Sequence, residues 1–303
     1  MILESGALRA EVRPEAGAAV ASLRHLPSGA EVLAQLPWDP IAAPTHAAPD
    51  ELSWLARWSG GWPPLFPNGG DAGVHAGVLH GFHGEASVAS WAAARDGEAL
   101  VLTRRFLSVP ARMTRRLTLD GPRLTLDAEA MAEAPCEVLW GEHVTLGGDL
   151  LDGPVALASS AARVVASADY APPESPLAPG AEGPWPRLPG PAGAVNLSRP
   201  QPGWSLVAGL FELGPAPFVE ATRKGGPTVR VEWSADPWPL AWLWIETGGD
   251  RAAPWFGQGR ALGIEPCTTW PATGLAHAPQ AGGRLLSLRP GEPRRARLSL
   301  LVT

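Results

Sequence analysis

Apolar and polar residues alternate in short runs along most of this chain, the period-two signature of half-buried β-strands. Leu8, Ala10 and Val12 mark a first run, Leu8–Val12, and Val20–Leu26 a second. Pro27-Ser28-Gly29 then turns the chain into Glu31–Leu36, which predicts a hairpin. The segment before residue 50, from Ile41, reads as loop. Asp50–Trp58 has a helical period instead: Asp50 can cap it, and Leu52, Leu55 and Trp58 fall on one face. Gly60–Gly84 is irregular and rich in Gly and Pro. From residue 86 the strand pattern dominates, with runs at Ser87–Ala93, Ala99–Phe106, Met113–Leu119 and, beyond the turn signal Asp120-Gly121, Arg123–Ala130. Cys136–Leu146, Val155–Ala158 and Ala162–Ala168 continue it. Residues 172–202 hold ten prolines, after which Trp204–Leu213, Phe218–Thr222, Thr228–Ser234, Leu240–Thr247 and Ala261–Thr268 follow. Arg284–Leu288 and Arg295–Val302 flank Arg289-Pro290-Gly291-Glu292 as a predicted closing hairpin.

Such closely spaced strands with at most one helix predict an all-β sandwich or barrel. Strand character resumes beyond the proline-rich stretch, and no repeat or boundary interrupts the chain. Residues 172–202 therefore read as a surface excursion, and 1–303 as a single domain.

Composition narrows the classes. Gly and Pro supply 69 of 303 residues, just under the share that suggests disorder, but 45% of the chain is hydrophobic and 14 residues are Trp. A folded core follows. The net charge of -6 and pI near 5.7 argue against a nucleic-acid groove or an anionic membrane surface. Lys224 is the only lysine. Cys136 and Cys267 match no zinc spacing and are expected as two buried thiols. No signal-like segment opens the sequence and no apolar run has spanning length, so the expectation is a soluble cytoplasmic protein.

The chemistry centres on Trp140-Gly141-Glu142-His143-Val144-Thr145. On a strand, Trp140, Glu142 and Val144 point one way and Gly141, His143 and Thr145 the other. Glu142 is thus a poor proton partner for His143, and small neighbours leave room against the imidazole. A distant carboxylate has to supply the base. Glu265, in Gly263-Ile264-Glu265-Pro266, sits at a strand end that Pro266 holds extended, the kind of place where active sites open. A rival reading takes His80, His83, Glu85 and His143 as a metal site. Against it, His80 and His83 are three apart and would point to opposite faces of a strand. Among the tryptophans, Trp62, Trp91, Trp140, Trp244 and Trp255 are expected mostly in the core, with a few free to stack on a ligand such as a sugar ring. Nucleophile-elbow, phosphate-loop and dinucleotide signatures are missing.

In order along the chain, Gly60-Gly61-Trp62-Pro63-Pro64-Leu65-Phe66-Pro67-Asn68, Gly81-Phe82-His83-Gly84, Gly141-Glu142-His143, Gly263-Ile264-Glu265-Pro266 and Leu288-Arg289-Pro290-Gly291-Glu292 resemble the aldose 1-epimerase (galactose mutarotase-like) family. The resemblance implies a β-supersandwich with a cleft across one sheet. It also implies cofactor-free and metal-free interconversion of the α and β anomers of a free sugar, and a phosphorylated aldose stays open, with nucleic acid and membrane already argued against by composition. It casts Glu265 as general base, His143 as general acid protonated at rest beside an ionised Glu265, and His83 as a second histidine on the sugar; Asn68, Asp71 and Trp244 are further candidates for binding it. Where galactose-type members carry Asn-Arg, this chain has Asn68-Gly69-Gly70-Asp71, so the sugar-binding arginine is missing. For the aspartate on distal hydroxyls, Asp236 and Asp250 are candidates. A non-catalytic carbohydrate-binding module on the same fold is the alternative.

Overall fold

The computed structural model describes residues 1–38, 49–58 and 60–303. Large antiparallel sheets make up most of it. The first sheet has eight strands, in the order Val155–Ser159, Phe218–Arg223, Thr228–Trp233, Arg294–Val302, Arg123–Ala132, Ala111–Asp120, Ala99–Arg105 and Ala92–Asp96. The centre of the second sheet is Ser205–Phe211, Leu240–Thr247 and Arg260–Cys267, continued by Gly141–Glu142 and Pro64–Leu65, with Val144–Leu146 also paired to Arg260–Cys267. A four-stranded sheet is built from Ile2–Glu4, Leu8–Arg13, Ala19–His25 and Ala30–Glu31.

The two large sheets differ in how they bury their strands. Arg123–Ala132 alternates strictly: Leu124, Leu126, Ala128 and Ala130 enter the core, while Asp127 and Glu129 pair with Arg297 and Arg295 across the outer face. In the second sheet every residue from Leu240 to Glu246 is buried. Leu243, Ile245, Leu262 and Ile264 join Leu124, Leu126, Leu298 and Leu300 in one core cluster, whereas Trp242 and Trp244 belong to separate clusters on the opposite face. A strand buried on both faces has a second layer over it, and here that layer roofs a cleft. Each Leu or Ile taken from water in the core contributes roughly 1.5–3 kcal/mol.

One core position breaks the apolar pattern. Arg115 lies between Met113 and Leu117 on the inward face of Ala111–Asp120 and is fully buried. Its Nη1 donates to Glu142 Oε1, and Trp62 Nε1 donates to Glu142 Oε2 at 2.7 Å. A carboxylate from the second sheet thus meets a guanidinium from the first. Glu142 points away from the cleft, as alternation along its strand requires.

Several sequence expectations change. The run Cys136–Leu146 is three short strands, Cys136–Val138, Gly141–Glu142 and Val144–Leu146, because the chain crosses from pairing with Leu286–Leu288 into the second sheet. No closing hairpin forms: Leu286–Leu288 pairs with Cys136–Val138, and Arg294–Val302 lies between Thr228–Trp233 and Arg123–Ala132. Instead of a strand at Ser87–Ala93, a single 3-10 turn spans Glu85–Ser87 and the strand begins at Ala92, since Glu85 gathers the N–H groups of Leu107 and Ser108 together with Arg104. The helix is Glu51–Leu55, capped by Asp50 as expected, but its buried face is Trp54 and Leu55, while Leu52 is exposed. The loop expected from Ile41 lies almost wholly outside the described residues. The proline-rich excursion contributes Glu182–Pro184 to the second sheet and anchors itself through buried Leu177, Leu188 and Leu197. Cys267 is a buried free thiol, as expected, but Cys136 is only half-buried.

Truncating Arg115 strands a buried carboxylate, whereas removing both charges does not. Arg115→Met is expected to lose about 3–5 kcal/mol in urea unfolding. Adding Glu142→Gln, which keeps an acceptor for Trp62, should recover most of that loss.

Candidate active site

Three pieces of chain converge on the cleft face of the second sheet. Register places Trp242 opposite Glu265 and Trp244 opposite Gly263, so both indoles and the carboxyl share that face. Val144 and Thr145 pair with Ile264 and Gly263, which sets His143, one residue earlier, beside Glu265. The His143 N–H is bonded to Pro63 O at 3.0 Å. His143 Nε2 lies 3.7 Å from Glu265 Oε1. Gly263 makes this approach possible, because a Cβ there would stand 2.7 Å from Glu265 Oε1 and 3.0 Å from Trp244 Cβ.

The helix Glu51–Leu55 and the turn after it supply a wall. Trp54 and Trp58, one helical turn apart, stack with centroids 4.7 Å apart. The Trp58 ring is 5.2 Å from that of His143, and the Trp54 ring 4.6 Å from that of His83. Trp244, its ring 6.3 Å from that of Trp58, and Trp255, 5.4 Å further on, continue this wall.

The third piece is the loop that holds His83. Its backbone has a φ of +57°, a region that residues with a side chain rarely occupy, and such strain collects at functional sites. Two bonds to Gly70 hold it there: His83 N–H to Gly70 O, and Gly70 N–H to His83 Nδ1, each 3.0 Å. Because Nδ1 accepts, the neutral imidazole carries its proton on Nε2. His83 and His143 rings stand 5.0 Å apart, edge to face.

Burial governs the protonation of these groups. Desolvation pushes Glu265 up to about 8 and His143 down to about 4, the latter opposed by its own backbone carbonyl. Desolvation, then the neighbouring His143, takes His83 well below the ordinary histidine value. Burial therefore favours a neutral carboxyl and two neutral imidazoles. This corrects the expectation of an ionised Glu265 beside a protonated His143 at rest: at 3.7 Å the contact is too long for a hydrogen bond that would offset the desolvation of both charges. His143 Nδ1 is held by Thr145 Oγ1 at 2.7 Å, and Thr145 is the small same-face neighbour noted in the sequence.

The cleft encloses about 150 Å³. His143, Glu265 and His83 line it together with Asp71 and Trp244. Trp255 lines it too, while Trp62, Trp91 and Trp140 are core. Asn68 does not line it. Its amide donates to Asp71 O and Gly81 O at 2.9 and 2.8 Å and its oxygen accepts Leu275 N–H at 2.6 Å, so its capacity is spent clasping the loop. Asp236 is paired with Arg294 at the surface, and Asp250 lies outside the lining. Glu85 is engaged by Arg104 and Ser108, and among the described residues no group of three His, Cys, Asp or Glu side chains is placed to share a metal ion. Sequence reading missed Glu51, Trp54, Asp169 and Tyr170 in the lining. The Trp54–Trp58 spacing was the available signal for the wall, and no motif marks Asp169 or Tyr170.

Two large antiparallel sheets with a cleft across one of them define the galactose mutarotase-like fold, and this chain has it. Its likeness to solved structures covers the whole chain at low identity. The Slr1438 protein of Synechocystis sp. PCC 6803 matches with a TM-score of 0.69 at 18% identity, over 100% of this chain and 95% of its own. A galactose mutarotase-like protein from Lactobacillus casei matches with 0.65 at 14%, over 100% and 99%. The GalM/aldose epimerase homologue from C. elegans matches with 0.65 at 14%, over 100% and 98%. No family model matches the sequence, and no curated protein does.

The buried pair sets a pH dependence of stability. Glu265 binds its proton more tightly folded than unfolded, so the unfolded state is favoured as pH rises from 4.5 toward 8. His143 acts oppositely, its contribution being lost as pH falls from 6.5 toward 4. Chemical denaturation across pH 5–8 should show the alkaline loss, no steeper than about 1.4 kcal/mol per pH unit from one proton. Glu265→Gln should reduce that slope, leaving the part due to the other raised carboxyls such as Glu142 and Glu246; a slope unchanged in the variant would assign it to them.

Proposed function

We propose that this chain is an aldose 1-epimerase-like enzyme that interconverts the α and β anomers of an aldose by acid–base ring opening and closure. The observation that carries this reading is the pairing of one imidazole and one carboxyl, His143 and Glu265, 3.7 Å apart on the floor of an aromatic cleft. Anomerisation needs one proton removed from the anomeric hydroxyl and one delivered to the ring oxygen. Both oxygens are bonded to the same carbon, so a single close acid–base pair can serve both.

The pair carries one proton in total at neutral pH, stored on Glu265 when the cleft is empty. Sugar hydroxyls donating to Glu265 Oε1 and Oε2 would stabilise its carboxylate and shift that proton to His143. Glu265 then takes the anomeric proton, His143 protonates the ring oxygen, and the ring opens to the aldehyde. Rotation about C1–C2 presents the other carbonyl face, and closure reverses both transfers. The neutral His83, with its proton on Nε2, is suited to donate to a sugar oxygen at either stage. Indole faces are suited to stack on the apolar face of the ring.

Anomeric exchange measured by NMR across a panel of aldoses tests this. Exchange above the buffer rate for at least one sugar is expected, reduced about 10²–10⁴-fold in Glu265→Gln and in His143→Gln. The pH profile of kcat/KM should be bell-shaped, falling below about 4, where the pair gains a second proton, and above about 8, where it loses the only one. Sugars that perturb protein resonances without exchanging would make the cleft a binding site instead.

A further inference from the structure

The charge around the cleft bears on what the sugar carries. Glu51, Asp71 and Asp169 are exposed lining residues, so they rim the mouth, while buried Glu265 forms the floor. No Arg or Lys is among the described lining residues. Residues 39–48 and 59 contain no Arg or Lys either, and His46 is the one basic side chain among them. The ion pairs of the described residues involve none of the three rim carboxylates. His277 is the basic side chain whose charge acts on Asp71.

The rim groups also act on each other. Desolvation and the charges of Asp71 and Asp250 hold Glu51 above its ordinary range, and desolvation and Asp169 do the same for Asp71, against His277. Tyr170, bonded to Ser205 Oγ at 3.0 Å, is pushed up to about 12 by burial, with Asp250, Glu246 and Glu51 adding to it. This is a mouth of net negative charge, with His277 acting on Asp71 and no Arg or Lys among the described lining residues. A cation entering it is attracted by every rim carboxylate, and a phosphate dianion is repelled by each of them.

Two further features point to a ligand. Glu265 Oε2 and Trp58 Nε1 are buried polar atoms at the cleft without hydrogen-bond partners among the described residues. In addition, Trp54, Trp58, Trp244 and Trp255 supply the aromatic walls that favour a cation.

We infer that the site selects a sugar bearing a protonated amine, held by Glu51, Asp71 and Asp169 while the anomeric centre sits over Glu265 and His143, and that it rejects sugar phosphates. Turnover of such a sugar rests on the epimerase reading; its selective binding does not.

The experiment compares glucosamine, galactosamine, their N-acetyl derivatives, glucose and glucose 6-phosphate, by anomeric exchange and by NMR titration, below the pKa of the amine. The wild type is set against Glu51→Gln/Asp71→Asn/Asp169→Asn. At least one aminohexose should bind and exchange about tenfold better than its N-acetyl derivative. That advantage should shrink with added salt and vanish in the triple variant, and glucose 6-phosphate should exchange no faster than in buffer. Equal handling of amine and acetamide, or preference for the phosphate, with exchange intact, overturns the amine assignment and leaves the epimerase reading standing. Selective amine binding without exchange of any sugar upholds the charge assignment and removes the epimerase reading. Neither exchange nor selective binding removes both.

Discussion

Everything in the cleft depends on which face of one short stretch of chain meets the core, and the buried contact between Arg115 and Glu142 decides that. A one-residue slip along Gly141–Leu146 would exchange Glu142 for His143. The imidazole would then lie against a guanidinium in the core, and the carboxylate would enter the cleft. Among the described residues Glu142 is the acid that Arg115 pairs with, through Nη1 alone, its Nε and Nη2 staying unpartnered, and only this register keeps that pair. Such a pair adds little net stability over an apolar pair of the same size, because both charges leave water. Its effect is on uniqueness: it selects the arrangement in which His143 faces Glu265.

The same desolvation that makes the core costly for charge shapes the floor of the cleft. Trp54, Trp58, Trp242 and Trp244 exclude water around His143 and Glu265, and both groups are driven toward their neutral forms. An ion pair standing ready in the empty site would need hydrogen bonds that the site lacks. The unpartnered Glu265 Oε2 shows where they are missing. The proton is thus parked on the carboxyl, and polar groups of a bound molecule are what would move it. On the proposed reaction, the activation of the acid and the recognition of the ligand are one event.

Much of the fold was legible because it rests on local periodicity. Arg123–Ala132, Leu240–Thr247 and Arg260–Cys267 are strands nearly where alternation, apolar runs and β-branched residues put them. What failed involved partners distant in sequence. Leu286–Leu288 pairs with Cys136–Val138 across some 150 residues, although a plausible turn lies next to it, and the Glu85–Ser87 turn owes its form to N–H groups near residue 107. In the site, His143 and Glu265 could be read from side-chain alternation and a strand-end proline. Asn68 could not: nothing in Asn68-Gly69-Gly70-Asp71 says that its amide is saturated by three backbone groups. The protonation states were misjudged for a related reason, since sequence shows that two groups are near but not how dry their surroundings are.

The cleft divides its parts between two kinds of support. Glu265, His143 and the Trp242–Trp244 pair stand on strands buried on both faces, where any replacement disturbs either the sandwich or the layer above it. Glu51, Asp71 and Asp169 stand on a short helix and on loops, with their side chains reaching solvent. Substitutions at the rim leave the hydrophobic core untouched. A lineage carrying this scaffold is therefore free to exchange one clientele of ligands for another by drift at the mouth, while the floor of the cleft is inherited almost unaltered.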